Sequence, residues 1–145
     1  MGNLAMAEKF FLDRFVSAQA EVYPSALEEL RAGVKRGHWM WFIFPQLKGL
    51  GQSNHAFYYG IGSLEEASAY LQHPVLGPRL VQCTQAVNAV DDRTVHEIFG
   101  SPDDMKFRSS MTLFASAGED DTVFRTALDK YFNGRPDPLT MELLR

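Results

Sequence analysis

The chain has 145 residues, of which 46% are hydrophobic, 12% aromatic and 22% charged, with a formal net charge of −4. This length and composition are typical of one globular domain that folds without disulfide or metal support. The acidic balance argues against a nucleic-acid-binding protein, because such proteins need clustered lysine and arginine.

Cysteine usage and hydropathy bear on the compartment. Cys83 is the single cysteine, so the chain cannot form an intrachain disulfide and lacks the cysteine pairs of a zinc site. A reducing, cytoplasmic location is therefore expected. The longest apolar run, residues 39–45, is much shorter than the ~20 residues that cross a bilayer. Charged residues interrupt the first apolar positions, so we expect neither a signal peptide nor a membrane partner.

The first half of the chain predicts short helices separated by proline and glycine. Apolar residues at spacings of three and four predict helices over residues 6–19 and 26–35, with a break at the proline of residues 23–25. The apolar run at residues 39–44 fits either a buried strand or a buried helix. Its helical surroundings favour a short buried helix, which Pro45 ends.

The second half continues the helical pattern. A short helix is predicted over residues 54–61, and Ser63 begins the next one with a capping box to Glu66. Further helices are predicted over about 78–90, 94–99, 101–117 and 122–132, with a last turn at 139–144. Alternating strand and helix patterns are missing. We therefore predict an all-α fold, one compact domain over residues 1–145 with about seven or eight short helices.

Common catalytic and cofactor motifs are missing from the sequence. The chain has no G-x-x-x-x-G-K-[ST] phosphate loop, no H-E-x-x-H zinc motif and no G-x-S-x-G elbow. Its four histidines, at positions 38, 55, 73 and 96, lie far apart, and none has a second ligand three or four residues on. We expect neither a metal nor a cofactor.

The first candidate site is the tryptophan-rich segment RGHWMWFIFPQLKGLG, residues 36–51. One interpretation is core packing, since large rings dominate core energetics. The other is a site wall, because small-molecule sites combine aromatic walls with a few polar groups. In that case Trp41 offers a ring for stacking, His38 offers an imidazole for acid and base chemistry, and Gln46 offers a donor and an acceptor.

The second candidate is the segment KFRSSMT, residues 106–112. Lys106 and Ser110 are four residues apart, so their side chains are neighbours on a helix, and the cation could activate the hydroxyl as a nucleophile. Together with Arg108 and Ser109, they could instead bind a phosphate or carboxylate without catalysis. The plainer alternative is that the cations are solvated and the serines bond to carbonyls one turn back.

Four motifs together resemble a known family. They are HWMWFIFPQLKGLG, YYGIGSLEEASAYLQHPVLGPRL, IFGSPDDMKFRSSMTLFA and DKYFNGRPDPLT. From about Phe11 to Leu144 the chain resembles the family named domain of unknown function 1810, also labelled calpastatin-like. The resemblance implies a small, single-domain, all-α bacterial protein and no particular activity. A calpastatin-type inhibitor would be long, polar and disordered, whereas this chain has the composition of a packed domain.

The two candidate segments lead to one hypothesis and one alternative. The hypothesis is a pocket between them for a small, anionic, nucleotide-like molecule. Whether the protein is an enzyme stays open; if it is, hydrolysis or group transfer with His38 as acid and base is expected. The alternative is a non-catalytic protein-interaction module or homodimer. The candidate ligand-binding residues are His38, Trp41, Gln46, Lys106, Arg108, Ser109 and Ser110.

Overall fold

The computed structural model describes the backbone of residues 2–145 and the side chains of residues 5–145. Over this range the chain is helical, and its β-type pairing is an isolated bridge between Leu47 and Ile61. The helices are α1 (Gly2–Lys9), α2 (Asp13–Ala32), α3 (Met40–Ile43), α4 (Asn54–Tyr58), α5 (Leu64–Gln72), α6 (Leu76–Asn88), α7 (Val95–Phe99), α8 (Asp103–Ala115), α9 (Thr122–Phe132) and α10 (Pro138–Leu143).

The all-α prediction is confirmed. The helices of the described range number ten rather than seven or eight, and four of them, α3, α4, α7 and α10, have only four to six residues each. None of the helices over residues 2–145 has the length and apolar character needed to cross a membrane.

The first helical break lies at a different place from the one predicted. Pro24 is inside the continuous helix α2, so the predicted break at residues 23–25 was wrong. Pro24 and Ala20 are both exposed, so water can reach the carbonyl group that loses its N–H partner. The buried face of α2 supports both halves, and such packing outweighs local propensity. The actual break is at Phe11, whose φ of 51° lies in the left-handed region.

The core is built from interlocking aromatic rings. Phe44, which follows α3, packs edge-on against Phe107 of α8 at 5.0 Å between ring centroids. Phe107 in turn stacks on Phe99 of α7 at 4.7 Å. Tyr70 of α5 lies 5.1 Å from Phe15 of α2 in an edge-on arrangement. Burying such rings contributes several kcal/mol each, so these contacts set the positions of the helices around α3.

A buried arginine joins α2 to α5 and to the end of α4. The Arg14 Nη2 atom lies 2.7 Å from Glu66 Oε2, and the two side chains are 6% and 8% exposed. The guanidinium also donates to the backbone carbonyls of Phe10, Phe11, Tyr58 and Gly60. All five donors of the planar guanidinium suit such a cage of oxygens. This ion pair therefore fixes the α4 segment beside α2.

Two polar side chains of α2 hold α3 in place. Gln19 Nε2 donates to the carbonyl of Phe42 at 2.7 Å. Glu29 Oε1 accepts hydrogen bonds from the backbone N–H of Arg36, the backbone N–H of Gly37 and the indole N–H of Trp39. The short helix α3 could not be stable alone, because four residues are too few to nucleate a helix. Its orientation is therefore set by α2.

Candidate functional site

A small cleft lies between α3, the chain around α4 and the first turn of α8. The inner volume of the cleft, which a water-sized group can occupy, is about 10 Å³. The empty volume is about 250 Å³ when the open mouth is included. The enclosed part holds roughly one water-sized group. The lining residues are Met40, Trp41, Phe44, Gln46, Ala56, Tyr59, Gly60 and Lys106.

Trp41 forms one wall of the cleft. Its α3 neighbours Met40 and Ile43 are buried in the core, which leaves Trp41 half-buried at the cleft. Its indole ring lies 4.8 Å from the His55 ring at an interplanar angle of 31°, and the His55 ring is stacked with that of Tyr59 at 6.3 Å. The Trp41 Nε1 atom is buried and has no hydrogen-bond partner among the described residues. A buried unpaired donor costs about 1–3 kcal/mol, and a bound acceptor would recover that cost.

Lys106 brings a positive charge to the same ring. Its Nζ atom lies 5.5 Å from the centroid of the Trp41 ring, within the range of a cation–π contact. The Asp103 carboxylate lies 3.7 Å from Lys106 Nζ and 2.9 Å from Lys35 Nζ. Lys35 also interacts with the Glu29 carboxylate, so the two lysines and the two carboxylates sum to zero. Lys106 is the one cation among the lining residues of the described range, and it favours an anionic group at the mouth of the cleft.

The backbone at Gln46 is held in place by two hydrogen bonds to Ile61, and its side chain lines the cleft. Its carbonyl accepts from Ile61 N at 2.9 Å, and Lys48 N donates to Ile61 O at 2.7 Å. The side-chain amide of Gln46 makes no hydrogen bond to a described residue, although it carries a donor and an acceptor. The backbone at Gly60 passes so close that an added Cβ would lie 2.8 Å from Ala56 O and from the Lys48 Cα. Glycine is therefore required for this side of the cleft to close.

The structure brings three of the predicted ligand-binding residues together and leaves four outside the lining. Trp41, Gln46 and Lys106 share the cleft. His38 is exposed and is not one of the lining residues in the described range.

The remaining three predicted residues of α8 make contacts elsewhere. The Arg108 guanidinium donates to the carbonyls of Arg135 and Pro136 at 3.0 and 3.1 Å. The Ser109 hydroxyl donates to the Met105 carbonyl, one turn back. Ser110 is fully buried, and its Oγ atom has no partner within residues 5–145. Because residues two apart on a helix point about 200° apart, Lys106 and Arg108 cannot face the same cleft.

Sequence reasoning missed two rings of the site, His55 and Tyr59. His55 was considered only as a metal ligand, and no spacing rule pairs it with Trp41, which lies on a different helix. Burial raises the pKa of Tyr59, as does neighbouring Tyr58, while the Arg14 charge partly opposes the rise. The Tyr59 hydroxyl therefore stays protonated at neutral pH. In the sequence, the one indication that these rings belong to a site was the cluster of aromatic residues in HAFYYG, residues 55–60.

The turn that leads into α3 depends on an ionised carboxylate. Burial raises the pKa of Glu29, but hydrogen bonds from Gly37, Arg36 and Trp39 outweigh it and hold the pKa below its ordinary value of 4.5. Glu29 thus stays charged at neutral pH and keeps its three donors satisfied. This arrangement fixes Trp39 in the core and leaves the other tryptophan to face the cleft.

Comparison with known proteins gives a family and a solved structure. The family model described as "Protein of unknown function (DUF1810)" matches residues 9–144, so the chain belongs to this family, as its motifs indicated. A conserved hypothetical protein from Mycobacterium tuberculosis, whose crystal structure is solved, is 61% identical in sequence to this chain. The two structures superpose with a TM-score of 0.93. The match covers 94% of this chain and 97% of that chain, in keeping with the expected bacterial origin. No curated protein matches the chain.

Proposed function

We propose that this member of the DUF1810 family binds a small anionic molecule, of a nucleotide-like kind, at the cleft between α3 and α8. The observation that carries the proposal is the pairing of an unsatisfied donor with a cation. The buried Trp41 N–H has no acceptor within residues 5–145, and the Lys106 ammonium lies over the same indole ring. An anionic oxygen satisfies both groups at once.

The dimensions of the cleft limit what can enter it. The inner volume of about 10 Å³ admits one oxygen of a phosphate or carboxylate rather than a whole ring. The rest of the ligand then lies at the open mouth of the cleft. Gln46 adds a donor and an acceptor that determine the orientation of the ligand. We propose binding only; His38, Arg108, Ser109 and Ser110 have no role in this arrangement.

Calorimetric titration with adenosine 5′-monophosphate, adenosine and inorganic phosphate tests the proposal. We expect the monophosphate to bind, phosphate to bind more weakly, and adenosine not to bind. Lys106→Met is expected to weaken binding about tenfold. Trp41→Phe keeps a ring, removes the unpaired N–H and is expected to weaken binding by a smaller factor.

Two matched controls separate the site from general effects of charge and ring content. Lys48→Met removes an exposed lysine that contacts Phe57 instead of the cleft, and its affinity is expected to equal that of the wild type. Trp39→Phe removes the tryptophan whose N–H is already bonded to Glu29, so stability should fall and affinity should not. Equal loss of affinity in the Lys106 and Lys48 variants, or no binding of any probe, would refute the proposal.

The second candidate function is self-association through an exposed aromatic patch, which consists of Phe11, Phe57 and Tyr58. These side chains are 54%, 69% and 49% exposed. The strained backbone at Phe11 costs about 1–3 kcal/mol, and it presents the ring to solvent, edge-on to Tyr58 at 6.4 Å. Sedimentation velocity of the wild type and of Phe57→Ser tests this candidate. A wild type that stays monomeric at high concentration excludes it.

A further inference from the structure

A wide groove, distinct from the first cleft, runs between α5, α6 and the start of α9. Its volume is about 1100 Å³ and it shares no lining residue with the cleft at Trp41. The described side chains that line it include serine, threonine, asparagine and glutamine, together with Glu119 and Asp120, and none of them is a lysine, arginine or histidine. Beside the groove, the Lys130 ammonium is already bonded to the carbonyls of Asn88 and Val90. The lining itself favours a ligand rich in hydrogen-bond donors or positive charge.

Asn88, a half-buried residue that lines the groove, carries an acceptor without a donor in the part of the chain that the structure describes. The Oδ1 atom of Asn88 is buried and has no partner among the described residues. The orientation of this amide is determined by its other end, because Asn88 Nδ2 donates to Val123 O at 3.0 Å. If the amide were flipped, Asn88 Oδ1 would lie against the Val123 carbonyl oxygen, and two acceptors would face each other without a proton between them. An unpaired buried carbonyl oxygen calls for a donor from outside the chain.

The apolar part of the groove indicates which class of donor-rich ligand fits, a sugar or an aliphatic chain. Leu71, Val81 and Val123 are half-buried and offer aliphatic surface. Phe124 also lines the groove, but it is only 1% exposed and so presents no ring face on which a sugar could stack. Methylene groups suit this aliphatic strip, whereas a sugar would leave its hydroxyl groups against it.

We propose that this groove binds an aliphatic diamine or polyamine. One ammonium group donates to Asn88 Oδ1, the methylene chain lies along the aliphatic strip, and a second ammonium lies near Glu119 and Asp120. The Asp120 carboxylate accepts a hydrogen bond from Thr122 N, and its bonding to Thr122 lowers the pKa of Asp120, so the acid stays ionised. Charged hydrogen bonds to ammonium are stronger than neutral ones.

Two-dimensional NMR with spermidine, 1,5-diaminopentane and 1,5-pentanediol tests the proposal. Both amines are expected to shift the side-chain amide signal of Asn88 in a saturable way. The diol has the same length without charge, and we expect it to leave that signal in place. Glu119→Gln is expected to weaken binding of 1,5-diaminopentane about threefold, since Glu119 is exposed.

The matched control is Glu28→Gln, which removes an exposed carboxylate from α2, away from the groove. Its affinity is expected to equal that of the wild type. Equal weakening in both variants would show general attraction of amines to an acidic protein and would overturn the proposal. Shifts spread over surface acids without movement of the Asn88 signal would overturn it as well. A shift with the diol equal to that with the diamine would show that the groove binds chains of methylene groups irrespective of charge, and it would overturn the proposal of an amine site.

Discussion

Replacement of Arg14 by methionine is expected to destabilise the protein severely. The guanidinium is 6% exposed, pairs with Glu66 at 2.7 Å, and donates to four backbone carbonyls. Methionine has a similar stem and no donors, so the variant leaves a buried carboxylate without a cation and buried carbonyls without N–H partners. Breaking a buried ion pair on one side costs about 3–5 kcal/mol.

The assay is urea denaturation followed by circular dichroism, with a thermal scan beside it. A loss of 3–5 kcal/mol corresponds to a fall in Tm of about 10–16 °C for a domain of this size. Arg125→Met is the matched control, because Arg125 pairs with Asp121 at 3.0 Å while the two side chains are 56% and 40% exposed. Exposed pairs of this kind contribute about 0–1 kcal/mol. A loss below about 1 kcal/mol in the Arg14 variant, or equal losses in both, would refute the reasoning that the buried pair holds α4 and α5 against α2.

Three further variants test the packing and the polar contacts. An alanine Cβ at Gly77 would lie 2.1 Å from the Leu71 carbonyl oxygen, so Gly77→Ala should lower the unfolding free energy by about 1–3 kcal/mol, whereas Gly62→Ala, whose Cβ finds ordinary contact at 3.4 Å, should change it little. Ser110→Ala removes a buried hydroxyl that has no partner among the described side chains and backbone, so urea denaturation should show equal or slightly higher stability, and a large loss would reveal a hydrogen bond. The folded-state pKa of Glu29 lies below its ordinary value of 4.5, so its contribution is present above that pH and is lost as the pH falls through the folded-state pKa. The wild type should therefore lose more stability than Glu29→Gln between pH 7 and pH 3, and equal slopes would contradict the role of the three hydrogen bonds.

Local signals in the sequence were reliable where neighbouring residues decide the structure. Ser63 caps α5 through the N–H of Glu66, as predicted, because the cap involves residues three apart. The reciprocal half of the predicted capping box was wrong, because Glu66 Oε1 accepts from Gly62 N at 2.9 Å and Glu66 Oε2 pairs with Arg14. The segment at residues 39–44 is buried and contains a short helix, since its large rings have no other favourable environment. The predicted break at Pro24 was wrong, because proline disfavours a helix interior locally but the packing of the buried face of α2 keeps the helix continuous.

The composition, the apolar spacing and the helix caps by themselves determined an all-α domain with an aromatic core, and the motifs determined the family. These features depend on local periodicity and burial, which the order of residues encodes directly. Only the tertiary structure decided that Trp41 meets Lys106, that the Arg108 guanidinium bonds to the carbonyls of Arg135 and Pro136, and that Asn88 Oδ1 has no donor among the described residues. Such contacts arise from the packing of whole helices, whose angles and offsets depend on the fit of many side chains at once.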